Sequence, residues 1–170
     1  MFKPKQVKIA EAYTKYIPYN FAFVLSSDVK GKPSGMIAAW HTKLSHEPPL
    51  MGVCLFNSQN TRRLISESKE FILAIPDKKL LPAIKIFGEF HGDKINKFEV
   101  SKVKTFKIED FKTPLLADAT INFACKLVKT VPMGDHMFFV GQVKKAYVND
   151  GQKILLSYGK KNGKRVFKEC

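Results

Sequence analysis

Five polar residues in one short segment set the chemistry available to this chain: Asn57, Ser58, Asn60, Thr61 and Arg62. They follow the apolar run Leu50–Phe56 and lead into Thr61-Arg62-Arg63-Leu64-Ile65, which reads as the first turns of a helix with Asn60 as N-cap. A helix start presents unpaired N–H groups and a partial positive charge, to which Thr61 adds a hydroxyl and Arg62 a cation. That combination binds phosphate. Upstream, Gly35-Met36-Ile37-Ala38-Ala39-Trp40 is a strand of mostly small residues that a flat ring can approach closely. Between the two lie Ser45 and the Pro48-Pro49 pair, which holds its loop extended. Residues 34–68 thus contain the parts needed to hold a phosphorylated planar cofactor.

Other chemistries have weaker support. His41, His46 and His91 are not spaced with a carboxylate or cysteine as a metal site would be, so no metal is expected. Cys54, Cys125 and Cys170 are an odd number without ligand spacing, which suits a reducing compartment rather than a disulfide scaffold. The N-terminus lacks the apolar core of a signal peptide, and no apolar run approaches a membrane span. A cytoplasmic location is expected, with no membrane partner.

The 170 residues suffice for one domain with a real core, ending in a basic tail over 159–170 expected to be partly mobile. The formal charge of +14 suits nucleic acid or phosphate-bearing small molecules, but its lysines are spread along the chain and read as a solvated background.

The elements that must position the site read mainly as strands. A short strand is expected at 6–10 and an apolar one at 21–27, followed by a turn in which Gly31 takes positive φ. Residues 70–76 form a buried strand, and Asp77 caps a helix running through Leu80, Leu81, Ile84 and Ile86 with Pro82 in its first turns. Residues 87–98 read as a loop entering a short helix, and 103–106 as a strand. Two long strands, 119–130 and 136–148, flank a turn at Gly134-Asp135, and a last strand covers 153–158. Many hairpin-linked strands with few short helices imply an antiparallel β-barrel or sandwich. The barrel is favoured because long consecutive strands leave few ways to hide edges.

In order, the chain contains Gly31-Lys32-Pro33, Trp40-His41, Ser45, Pro48-Pro49, Asn60-Thr61, Glu70-Phe71, Gly92-Asp93-Lys94, Asn96-Lys97-Phe98, Gly134-Asp135-His136 and Gly141-Gln142-Val143. Over residues 18–158 this resembles the flavin reductase-like, FMN-binding split β-barrel family, nearest its flavoredoxin-type branch. The resemblance implies a homodimer with FMN near the subunit interface, reduced by NADH or NADPH through hydride transfer from nicotinamide C4 to flavin N5. Catalysis then needs no residue beyond the flavin. The ring is implied to lie along Met36, Ala38, Ala39 and Trp40 and along Cys54, Leu55, Phe56 and Asn57, with Ser45 nearby. The phosphate is implied at Asn57, Ser58, Asn60, Thr61 and Arg62, with Lys97 reaching it, and the nicotinamide side at Asp135 and His136. The phosphate turn lacks the basic residue that often precedes the threonine, a role left to Arg62 or Arg63.

Three functions follow. The first is an FMN-dependent NAD(P)H:flavin or ferric reductase with small-molecule electron donor and acceptor. The second is a flavoredoxin-like FMN electron carrier serving a redox protein partner. The third, a basic nucleic-acid-binding barrel, is disfavoured because the phenylalanines fall in apolar strands rather than among exposed lysines.

Overall fold

The computed structural model describes residues 4–170, so the first three residues of the lead-in lie outside it. In chain order the elements are α1 (Ile9–Lys15), β1 (Tyr19–Asn20), β2 (Ala22–Ser27), β3 (Pro33–Ala38), β4 (His41–Ser45), β5 (Leu50–Phe56), α2 (Asn60–Ser68) and β6 (Glu70–Pro76). After a 3-10 turn follow α3 (Leu81–Glu89), α4 (Lys97–Ser101), β7 (Thr105–Phe106), β8 (Leu115–Leu116), β9 (Ala119–Met133), β10 (His136–Val148), β11 (Leu155–Lys161) and β12 (Lys164–Glu169).

Seven strands form one antiparallel sheet in the order β3-β2-β6-β9-β10-β5-β4. Its two edges, β3 and β4, are consecutive in sequence and separated only by Ala39 and Trp40. Extended chain spans roughly 3.5 Å per residue, so such a link cannot cross an open seven-stranded sheet. The sheet therefore curls until its edges meet, giving a split β-barrel with Trp40 at the seam.

Alternation along β2 shows how the core divides. Ala22 and Val24 face the barrel interior with Val53, Leu55, Phe71, Leu73 and Phe139, while Phe23 and Leu25 face outward onto Ile84 and Phe87 of α3. Both faces of β2 and β6 are covered, which is why these strands read as unbroken apolar runs. Two glycines admit aromatic rings: a Cβ on Gly141 would stand 2.5 Å from the Phe71 ring, and one on Gly52 would stand 2.3 Å from Phe138.

Glu70 starts β6 with its carboxylate buried. It accepts from the Lys112 and Thr113 amides, both at 2.8 Å, and pairs with Lys126 Nζ at 2.7 Å. These bonds tie the connector before β8 to the barrel wall.

Three expectations need correction. Residues 6–10 do not form a strand; α1 covers Ile9–Lys15, with Glu11 in its first turn and Lys15 in its last, matching the helix dipole. Asn60 is not the N-cap, a place taken by Gln59 without a side-chain hydrogen bond. The tail is an ordered hairpin of β11 and β12, turning at Asn162 and Gly163 with φ of 50° and 76°. It adds to β1 and packs Phe167 on Phe21 with ring centroids 5.2 Å apart. Other elements agree in kind, some with shifted bounds: Gly31 has φ 82° and β10 spans His136–Val148, while Asp77 caps the 3-10 turn Lys78–Leu80 through the Lys79 amide at 2.7 Å. Helix α3 runs on to Glu89, β9 runs to Met133, and the strand expected at 153–158 is Leu155–Lys161.

Glu70→Ala leaves the Lys112 and Thr113 amides without their acceptor, while the Lys126 ammonium, 37% exposed, keeps the Asp110 carbonyl. Urea denaturation is expected to show a loss of about 1–3 kcal/mol, the cost of leaving a buried donor unsatisfied.

Candidate functional site

At the seam, Trp40, His41, Thr42, Cys54, Met133 and Phe138 line a cavity of about 450 Å³. The β5–β10 register places Cys54 opposite Phe138 and Phe56 opposite His136, and the Cys54 amide donates to the Trp40 carbonyl at 2.8 Å. His136 stacks on Trp40 with ring centroids 4.6 Å apart and a 28° interplanar angle, and Phe56 meets it edge-on at 5.0 Å. Asp135 contacts His136 Nδ1 at 2.5 Å. The Gly134-Asp135 turn is tied to the next strand end, with the Asn57 amide donating to the Asp135 carbonyl at 3.0 Å and Asn57 Nδ2 to that of Gly134 at 3.3 Å.

Two ionisable groups here, Cys54 and His41, are pushed toward their neutral forms. Burial, reinforced by the Asp135 carboxylate, pushes the Cys54 thiol up, so Cys54 is no thiolate nucleophile at neutral pH. Burial pushes the His41 imidazole down. The walls are almost wholly apolar, suited to the face of a planar ring rather than to acid–base chemistry.

A second cavity, of about 250 Å³, lies at the start of α2 and is bounded by Asn57, Ser58, Gln59, Asn60, Arg62, Arg63, His91 and Asp93. No side chain caps this helix, and among the described residues the Asn60 and Thr61 amides have no acceptor. The two arginines differ. Arg63 is occupied by a bidentate pair with Glu67, both contacts at 2.8 Å, and by Asn60 Oδ1 at 3.0 Å. Arg62 keeps a buried Nε without a partner. Free amides beside an unpartnered guanidinium nitrogen fit a phosphate group, and the apolar cavity fits a ring.

The structure therefore brings Trp40, Cys54, Phe56, Asp135 and His136 together in one group, and Asn57, Ser58, Asn60 and Arg62 in its neighbour. Thr61 does not line that cavity: it is buried on the inward face of α2, so its amide rather than its hydroxyl is on offer there. Met36, Ala38 and Leu55 turn into the core, leaving only their backbone available to a ligand. Ala39 lies against the outer core, and Ser45, at the far end of β4, lines neither cavity. Lys97 is the clear departure: its side chain does not enter the phosphate turn. It is 4% exposed, and its Nζ donates to the Gly35 carbonyl at 2.8 Å and the Phe87 carbonyl at 3.0 Å. It ties α4 to β3 and α3. Phe138, Met133, His91 and Asp93 line the cavities without being expected there; for Phe138 the signal is the β10 alternation combined with its register against Cys54.

The closed seam, with an aromatic cavity beside a phosphate-sized one, defines the class of split β-barrel flavoproteins. The chain belongs to the flavin reductase like domain family, whose model matches residues 14–164. It is 37% identical over 112 residues to an uncharacterized protein of Archaeoglobus fulgidus, a match covering 66% of this chain and 63% of that one. It is 27% identical over 146 residues to the ferric-chelate reductase (NAD(P)H) of the same organism, covering 85% and 84%. Among solved structures, an FMN-binding protein from Thermus thermophilus aligns with a TM-score of 0.82 at 23% identity over 99% of this chain and 96% of that one. Flavoredoxin from Methanosarcina acetivorans aligns with a TM-score of 0.77, also at 23% identity, covering 100% and 90%. At these identities the two structures establish the shared fold.

Burial lowers the Lys97 pKa from 10.5 to about 8, against a smaller opposing effect of Asp93. Between those values the unfolded chain binds more protons than the folded one, so this residue's contribution to stability climbs as pH rises across the window. It is complete above about 10.5 and lost as pH falls through about 8. Denaturation midpoints of wild type and Lys97→Met compared across that window are expected to diverge, with the climb present only in wild type.

Proposed function

We propose that this protein is an FMN-binding oxidoreductase that takes electrons from NADH or NADPH and passes them to a flavin or ferric acceptor. The observation that carries the reading is the pairing of the two cavities: an uncapped helix start with the unpartnered Arg62 Nε, beside the Trp40, Cys54, Phe56 and His136 group. Family membership and the ferric-chelate reductase relative add support.

In this reading Asn57, Ser58, Asn60, Thr61 and Arg62 hold the FMN phosphate. The Met36–Trp40 backbone and the apolar wall at Cys54 and Phe138 receive its ring. FMN supplies the hydride- and electron-accepting chemistry. The chain's own work is to orient and to exclude water. His136, held by Asp135 and stacked on Trp40, forms the nicotinamide side, and the protonated Cys54 thiol leaves no thiolate to compete. Trp40 is 56% exposed and Phe56 43%, and with Leu44 and Met133 they leave an apolar rim around the cavity. A second copy of the chain covers that rim, completing the site as a homodimer. Free Cys54, Cys125 and Cys170 suit a reducing cytoplasm. The same exposed Trp40 and Phe56 also favour a second reading, an FMN electron carrier that meets a redox protein at this rim.

Two measurements test these readings. Purified protein loaded with FMN is mixed with NADH or NADPH under argon; the flavin band is expected to bleach within seconds to minutes with one of them. A band that stays oxidised with both yet bleaches with dithionite selects the carrier. Separately, Arg62→Ala is expected to weaken FMN binding by about tenfold or more, since a hydrogen bond to a charged group contributes about 1.5–3 kcal/mol. Riboflavin, lacking the phosphate, should bind wild type and variant alike; equal loss for both ligands would remove Arg62 from the phosphate site.

A further inference from the structure

On the other side of the seam lies a groove of about 660 Å³, walled by α3 and the β11–β12 hairpin. Ala39 lines this groove while Trp40 lines the aromatic cavity, so the two spaces flank the same two-residue link. The floor is apolar and partly aromatic, made by Phe21, Ile37, Ile84 and Phe167. The rim is cationic: Lys85, Lys160, Lys164 and Arg165 face a single carboxylate, Glu89. Among the described residues none of these four cations enters an ion pair, although Lys78, Lys126 and Lys145 elsewhere do.

The hairpin register sharpens the point. Lys160 stands directly opposite Arg165, and Lys161 opposite Lys164. Like charges facing each other across two strands are destabilising. Asn162-Gly163 makes a two-residue turn of the type that fixes register most firmly, so the repulsion cannot be relieved by slippage. Solvated lysines on a free tail would have no such cost. Here three cations from one hairpin are held at the edge of an apolar floor, an arrangement complementary to negative charge carried on an apolar body. The volume is that of a small-molecule site.

We propose that this groove binds an anionic aromatic small molecule, a planar apolar body carrying at least two negative charges, separately from the flavin-phosphate turn. The ring rests on Phe167 and Ile37, the part-exposed members of the floor, and the anionic groups meet Lys160, Lys164, Arg165 and Lys85. The assignment does not depend on what occupies the seam cavity.

The test is calorimetric titration of the full chain with naphthalene disulfonate, in the absence and presence of saturating FMN. Saturable binding of one probe per chain is expected, unchanged by FMN. It should weaken by about tenfold or more in the Lys160→Gln/Arg165→Gln double variant, the loss expected when two charge-assisted contacts go. Arg62→Ala should bind the probe as wild type does. Without probe, the double variant should melt no lower than wild type, because a like-charge pair has been removed; this also certifies its fold. Neutral naphthalene methanol should bind more weakly than the disulfonate. Absence of probe binding, competition by FMN, or equal affinity in the double variant overturns the proposal. Two further results overturn it by naming another occupant: an oligonucleotide or acidic peptide that binds where the disulfonate does not, or a dimer that dissociates in the double variant.

Discussion

The two-residue link at Ala39-Trp40 is the constraint on which the rest of the molecule depends. Because it joins opposite edges of a seven-stranded sheet, the sheet has to close, and closure brings the end of β3 beside β5 and the β9–β10 turn. The group beside the aromatic cavity comes from those segments: Trp40 from the link, Cys54 and Phe56 from β5, and Asp135 and His136 from the turn and the start of β10, with His41 and Thr42 of β4 completing the cavity wall. The β5–β10 register by itself sets Phe56 against His136 and Cys54 against Phe138, and the link adds Trp40 to that group.

Closure also sorts the polar groups by environment. Where water is excluded, each charge is committed to a structural partner: Glu70 to two amides and Lys126, and Lys97 to two carbonyl oxygens. At the start of α2 the accounting is left open, with amides uncapped and Arg62 Nε unpartnered while neighbouring Arg63 is fully engaged. Buried polar groups normally find partners, so an incomplete set at a helix start points to a ligand as the missing one.

Local signals made much of this legible in the sequence. Alternation and turn chemistry gave β10 its bounds, Asp77 its cap and Gly31 its φ, and the polar run at 57–62 marked the helix start that lacks a side-chain cap. Long-range facts were not legible. Nothing local distinguishes an exposed lysine from Lys97, which is buried only because α3, α4 and β3 converge on it. Asn60 has the composition of an N-cap, yet its side chain serves Arg63. Residues 6–10 carry an alternation that found no strand to pair with. The hairpin at 155–169 is a different kind of miss, since Asn162-Gly163 between polar–apolar segments is a strong short-range hairpin signal. A high lysine content masked it.

That lysine content takes on another meaning once the hairpin is folded. Charge spread along a sequence is background only while each cation is free to turn toward water and away from its neighbours. A fixed register sets Lys160 opposite Arg165 and Lys161 opposite Lys164 while their side chains stay exposed, and packing Phe167 on Phe21 sets the hairpin against an apolar floor. The energy of holding like charges together must then be offset by packing, by salt, or by a bound anion, and only the last is selective for what it binds. The +14 charge is thus two populations: lysines that are solvated background, and a small group whose positions are dictated by backbone geometry.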